Sequence, residues 1–256
     1  MMIRIVTLGL LLTFSTAVVG QKIELDRGAP LAQVYLEAVM SQSLLPMNDL
    51  GVEFGYVLYK AKITAESESA ALELDNVRDY AVVYIDGKLQ GTLADNRKKI
   101  QLDNLSGTHE LQLYVENIGR ITYGPEILDN SKGIFGDVLL DGEDVENWTI
   151  IPLNIRNYTL TDLIFNNRTK VQTPSFYKGI FNVDAVENRY LDISGWGMGE
   201  VWINNTYVGS YWEQEKQQSI LIQSDVLIPG KNEIIVFELK NSQQETMSLS
   251  ESPVFR

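Results

Sequence analysis

Apolar and polar residues alternate in the same way along two separated stretches of the chain. Residues 83–93 read VYIDGKLQGTL and residues 201–211 read VWINNTYVGSY. In each, a period-two run ends in a pair that tolerates positive φ, Asp86-Gly87 or Asn204-Asn205, and a glycine follows at the same offset, Gly91 or Gly209. Such alternation marks a half-buried strand, and such pairs close a tight hairpin. The echo extends on both sides. YVLYKAKI (56–63) precedes the first copy and FYKGIFNV (176–183) the second; HELQLYVEN (109–117) follows the first and NEIIVFELKN (232–241) the second. Three motifs in one order, separated by gaps that loops absorb, predict an all-β chain built from two copies of one sandwich.

The rest of the pattern fills in around these copies. Residues 123–155 hold short apolar runs punctuated by Gly133, Gly136, Asp141-Gly142 and Pro152, which predict strands completing the first copy. Ahead of it, Leu31, Val34, Tyr35, Ala38 and Val39 fall at the spacing of one helical face, which predicts a short lead-in helix over residues 30–43. The first twenty residues carry a basic Arg4, an apolar run over 5–14 and small residues up to Gly20. That layout is a secretory signal peptide, and the run is too short and polar-broken for a lasting membrane anchor. The expected division is a signal peptide over 1–20, a lead-in over 21–48, a first sandwich over 49–155 and a second over 156–256. The expected location is secreted, or the periplasm and cell envelope.

Composition then removes several chemistries. With 45% hydrophobic and 21% charged residues, the 256-residue chain can build two ordinary cores. Its net charge of −13 repels phosphate backbones, so no nucleic-acid partner is expected. There is no cysteine, and His109 stands alone. Neither a zinc ligand set nor the base of a nucleophilic triad can be assembled. Asp141-Gly142-Glu143-Asp144 offers oxygens to a structural Ca²⁺, but not at EF-hand spacing, and reads as an acidic turn. No cofactor is expected.

Longer runs carry a family resemblance. LGVEFGYVLYKAKIT, VRDYAVVYIDGKLQGTL and LYVENIGRITYGPEILDNSKGIFGDVLLDGEDVENW, then LDISGWGMGEVWINNTYVGSYW and QQSILIQSDVLIPGKNEIIVFEL, resemble the C-terminal half of glycoside hydrolase family 35 β-galactosidases over about residues 46–256. The resemblance implies two tandem jelly-roll sandwiches of the galactose-binding-like kind, which in that family pack on a catalytic (β/α)8 barrel. The family's two catalytic glutamates lie in that barrel, upstream of everything matched, so neither is carried onto this chain. Such a barrel takes about 250 residues, and the expectation is a tail without it. One departure stands out: the family's Gly-Arg-Tyr-Trp is Gly209-Ser210-Tyr211-Trp212 here, and any contact that the arginine makes is lost.

Candidate binding residues cluster in the second copy. Trp196, Trp202, Tyr211 and Trp212 lie close to Asn204, Asn205 and Glu213. Sugar rings present apolar C–H faces, and an aromatic plane beside hydroxyl-binding groups suits them. Alternation sets Trp202 opposite Val201 and Ile203, so some of these rings fill cores or interfaces instead. Glu116 and Glu238, in LYVEN and VFELK, are the strand carboxylates considered for acid–base work; solvent-facing or backbone-bonded roles are the plainer expectation. The function expected is non-catalytic recognition of a galactoside-type glycan. The alternatives are an accessory subunit docking on a separately encoded glycosidase barrel or envelope partner and, last, an independent hydrolase.

Overall fold

Both repeated hairpins form as the alternation requires. Asp86 and Gly87 have φ of 49° and 74°, and Asn204 and Asn205 have φ of 49° and 64°, the twin positive values of a type I′ turn. Each return strand carries a bulge at the same place. Val83 pairs with Gly91 and Tyr84 with Leu89, just as Val201 pairs with Gly209 and Trp202 with Tyr207. The two glycines are there for clearance. A Cβ on Gly91 would sit 2.7 Å from Ile100 Cδ1, and one on Gly209 would sit 3.2 Å from Ile220 Cγ2.

The computed structural model describes residues 20–119, 124–128, 131–168, 174–240 and 243–256. These fold into two tandem jelly-roll sandwiches, each a six-stranded sheet facing a four-stranded one. The first six-stranded sheet runs Val39–Ser41, Trp148–Leu153, Gly55–Ala65, Gly107–Asn117, Tyr80–Ile85, Lys88–Ala94. Its partner runs Glu143–Asp144, Gly133–Leu140, Ser69–Arg78, Lys99–Asp103. In the second sandwich the large sheet runs Asn166–Asn167, Arg27–Pro30, Ser175–Val183, Gly230–Glu238, Met198–Ile203, Thr206–Trp212. The small one runs Gln21–Glu24, Thr246–Ser250, Arg189–Asp192, Ser219–Ile222.

The two large sheets also pack against each other, so four sheets enclose three cores. Val57, Tyr59, Ala61 and Ile63 point into the first sandwich, while Tyr56 and Leu58 join Trp202, Ile235 and Phe237 in the layer between sandwiches. Tyr80, Val82 and Tyr84 do the same from their strand, with Ala81, Val83 and Ile85 facing inward. Strands covered on both faces are apolar at every position, which is why Tyr80–Ile85 is buried throughout.

The N-terminal segment departs from expectation. Only Leu31–Val34 is helical, as a single 3-10 turn, and Tyr35 is already extended. A lone amphipathic turn gains little by itself, whereas strand pairing satisfies the backbone. Leu36 N–H donates to Pro152 O and Asn154 N–H to Val34 O, and Val39–Ser41 edges the first sandwich against Trp148–Leu153. Residues 21–30 lie elsewhere: Gln21–Glu24 pairs with Thr246–Ser250, and Arg27–Pro30 pairs with Ser175–Val183. The chain thus contributes two strands to the second sandwich before it builds the first. Gly179 admits the crossing between them, since a Cβ there would lie 2.4 Å from Glu24 O.

If residues 21–30 are integral to the second sandwich, Ile23→Ala empties its core. The expected loss is about 2–4 kcal/mol in urea denaturation, because Ile23 is fully buried beside Phe181 and Leu191. Met40→Ala, on the exposed edge of the first sandwich, is the matched control and should change stability by less than about 0.5 kcal/mol. Equal, small effects at both sites would show that the N-terminal strand adds nothing.

Candidate functional site

Where the large sheets diverge, the layer between sandwiches opens into a cleft of about 630 Å³. Asp79, Tyr80 and Glu116 line it from the first sandwich, and Tyr211, Trp212 and Gln214 from the second. Two neighbouring strands, Tyr80–Ile85 and Gly107–Asn117, place Tyr80 directly opposite Glu116. The return strand of the second repeated hairpin places Trp212. The Tyr80 and Trp212 rings meet edge to face across the sandwich boundary at 5.4 Å. The Trp212 indole N–H is buried and has no hydrogen-bond partner among the described residues.

Buried carboxylates surround the cleft, and each is stabilised differently. Glu200, fully buried, takes Arg156 Nε at 2.8 and 2.9 Å on its two oxygens. The guanidinium lies between the Phe54 and Tyr207 rings, 4.2 and 4.7 Å from their centroids, and donates to Tyr207 Oη at 2.9 Å. Burial still raises the Glu200 carboxyl above its ordinary value, against the pull of Arg156. Glu238, also fully buried, accepts the N–H groups of Gly197, Met198 and Lys240 at 2.8–3.2 Å and the Tyr211 hydroxyl at 3.2 Å. Its carboxyl is raised by burial, with those donors opposing. Asp79 holds Lys132 Nζ at 2.8 and 3.0 Å.

Glu116 has less. It is 9% exposed, and its Oε1 accepts the Tyr56 hydroxyl at 2.9 Å. No cation and no backbone N–H reaches its carboxyl among the described residues. Burial pushes it up to about 7, the Tyr56 hydrogen bond and the charge of Arg156 oppose, and the negative charges of Glu200 and Asp79 add to the rise.

The residues singled out from sequence scatter. Tyr211 and Trp212 line the cleft. Trp196 sits in the core of the second sandwich, 1% exposed, with Nε1–H donating to Thr246 O at 3.0 Å. Trp202, 3% exposed, fills the layer between sandwiches. Neither offers a face to a ligand: Trp196 lies in the loop between Arg189–Asp192 and Met198–Ile203 with its ring in the core, and Trp202 is on a strand covered on both sides. Asn204 locks its hairpin, donating to Val226 O at 2.9 Å and Asn232 Oδ1 at 2.8 Å while accepting Glu233 N–H at 3.0 Å. Asn205, beside it, borders a separate shallow pocket of about 270 Å³ with Arg156 and Tyr158. Glu213 is engaged by the Lys240 ammonium.

Neither Glu116 nor Glu238 faces solvent; Glu238 takes the backbone-bonded role expected, Glu116 bonds the Tyr56 hydroxyl instead, and the two belong to separate networks. Since Glu200 and Glu238 are fully buried, neither presents an oxygen to a molecule in the cleft. His109 bonds Asp86 Oδ2 through Nδ1 at 2.7 Å. Asp141 accepts the Ala71 N–H at 2.7 Å, and no group of three or more potential metal ligands occurs among the described residues. Tyr80 was missed from the sequence, although YAVVYI is apolar at every position; an outward face carrying Tyr80 and Tyr84 signals that something covers it.

These features define a tandem β-sandwich module with a cleft at the boundary between its two halves. Residues 45–154 match the first all-beta domain of β-galactosidase, and residues 174–232 match the galactose-binding domain of β-galactosidase. The chain thus carries two domains of the β-galactosidase family. It is 33% identical over 181 residues to a β-galactosidase from Xanthomonas manihotis, an overlap of 70% of this chain and 30% of that protein. With β-galactosidase 17 of Arabidopsis thaliana it is 30% identical over 241 residues, 82% of this chain and 34% of that one. The chain thus spans about a third of these relatives. A lectin structure from Pleurotus ostreatus aligns over 93% of this chain and 89% of its own at 13% identity, with a TM-score of 0.30.

The unpaired Glu116 makes stability depend on pH. Its carboxyl titrates near 7 folded, against an ordinary 4.5, so the folded chain binds the extra proton. The penalty for burying the charge is complete above pH 7 and is relieved as pH falls toward 4.5, an effect of at most about 3 kcal/mol. Glu116→Gln should therefore stabilise the protein near neutral and alkaline pH and flatten its urea midpoint between about pH 8 and pH 5. Glu200 and Glu238, raised in the same direction, leave a residual slope. Superimposable pH profiles for the two proteins would contradict the assignment.

Proposed function

We propose that this chain is an exported, non-catalytic carbohydrate-binding protein whose ligand, a galactoside-type glycan, occupies the cleft between the sandwiches. The observation that carries the reading is the cleft itself. It sets an aromatic wall, Tyr80 and Trp212, beside polar groups, Glu116 and Gln214, at the edge of a domain that matches a galactose-binding family. Export is supported by Arg4 and the apolar run after it, and no helix among the described residues is long and apolar enough to cross a membrane. A second reading, that the module docks on a glycosidase catalytic domain of the family 35 kind, is favoured by one fact: both of its matched domains are β-galactosidase domains.

Calorimetric titration of the purified protein with a panel of galactosides tests this directly. A saturable signal is expected, weakened about tenfold or more by Trp212→Ala and little changed by substitution of Asn205, which borders the other pocket. A blank across the panel would overturn the binding reading and leave the docking one. So would a signal indifferent to Trp212, which would move the site out of the cleft.

A further inference from the structure

Among the described residues, charge around the cleft does not balance. Asp79 is neutralised by Lys132, and Glu200 by Arg156. At the rim, Arg97 and Glu215 are exposed and opposite in sign. Among the described residues, Glu116 is the buried cleft-lining carboxylate left without an ion pair. It lines the cleft, nine-tenths buried, with one oxygen on the Tyr56 hydroxyl and no cation bonded to it among the described residues; Arg156 is near enough to pull on its charge but bonds Glu200. The groups facing it are Tyr56, Glu200, Asp79 and Arg156, and the cations among and behind them are already engaged by other carboxylates. A surplus carboxylate in a poorly solvated wall attracts a positive charge more strongly than the same group in water does.

The chemistry of the wall narrows what that charge can be. A divalent ion takes several oxygen ligands, whereas no group of three or more acidic or imidazole side chains gathers among the described residues. A protonated amine needs one carboxylate and tolerates aromatic neighbours, since an ammonium is drawn to the ring faces of Trp and Tyr. Tyr80 and Trp212 provide such rings within the same cleft. Its volume of about 630 Å³ admits a small saccharide.

We propose that the cleft selects a saccharide bearing a free protonated amine, a hexosamine rather than a neutral hexose, with Glu116 as the counter-ion. This rests on the carbohydrate-binding reading and sharpens it to a ligand class. It also fixes a direction with pH. Because the Glu116 carboxyl sits near 7, acidification neutralises it while the amine stays charged, and the preference for the amine fades.

The test is titration of the purified protein with D-galactosamine, N-acetyl-D-galactosamine and D-galactose at about pH 7.5 and about pH 5.5. Galactosamine should bind about tenfold tighter than the two neutral sugars at the higher pH, with the ratio falling toward one at the lower. In Glu116→Gln, which keeps an acceptor for Tyr56, the ratio should be near one at both. Thermal melting establishes that this variant is folded, and the pH dependence of the wild-type ratio stands as an independent readout if it is not. Equal affinities at the higher pH, or a preference that survives Glu116→Gln, overturn the amine inference and leave carbohydrate binding intact. No binding of any sugar overturns both.

Discussion

Contact between the two six-stranded sheets is the constraint on which the rest of the molecule depends. A jelly roll by itself needs one buried face on each sheet and leaves the outer faces wet. Here the outer faces of both large sheets are apolar, and together Tyr56, Leu58, Tyr84, Trp202, Ile235 and Phe237 make a third core as continuous as the two inside the sandwiches. Tyr56 packs edge to face on Phe237 at 5.4 Å, and the Tyr84 hydroxyl donates to Leu239 O at 2.8 Å across the boundary. Side-chain packing of this density resists sliding, so the cleft has fixed walls. The walls come from different sandwiches, and neither sandwich contains the site alone.

That same layer sets the electrostatics. A carboxylate on a face covered by another sheet loses its water, and each one present must find compensation. Glu200 finds a guanidinium clamped between two aromatic rings, and Glu238 finds three backbone N–H groups. Glu116, at the margin where the layer opens, finds one hydroxyl and a view of the cleft. Its incomplete compensation goes with its position: deeper in the layer it would be intolerable, and further out water would solvate it.

Much of this was legible in the chain. The two hairpins, their turn residues and the opposed facing of Trp202 and Val201 follow from period-two alternation and hold to the residue. Alternation alone predicts half-buried strands, whereas Tyr80–Ile85 and Met198–Ile203 are buried at every position because another sheet covers their outer faces. The N-terminal strands were not legible, because Gln21–Glu24 and Arg27–Pro30 each turn a single buried residue inward, Ile23 and Ala29, too few for a pattern. A trace existed elsewhere: the second copy has Gly179 where the first has Ala61, and the missing methyl is the space through which the crossing chain runs. Tryptophan density misled, since Trp196 and Trp202 are buried in two different cores where size serves packing. The isolation of Glu116 could not be read at all. It depends on which carboxylates Arg156 and Lys132 reach, and both are settled by tertiary geometry.

Duplication explains the fold, and divergence explains the site. Val83 pairs with Leu113 as Val201 pairs with Val236, which fixes the equivalence of the two copies strand by strand. On that register Glu200 stands where the first copy has Val82, and Glu116 stands where the second has Leu239. Each copy has therefore placed one carboxylate on the shared face at a position the other fills with an aliphatic side chain. Had both kept the aliphatic residue, the boundary would be a plain apolar seam with nothing to orient a polar ligand. Had both acquired the carboxylate, the layer would carry charges beyond what Arg156 and Lys132 can balance. One matched pair and one unmatched acid leave the seam cohesive and, among the described residues, give its open end one unbalanced negative charge.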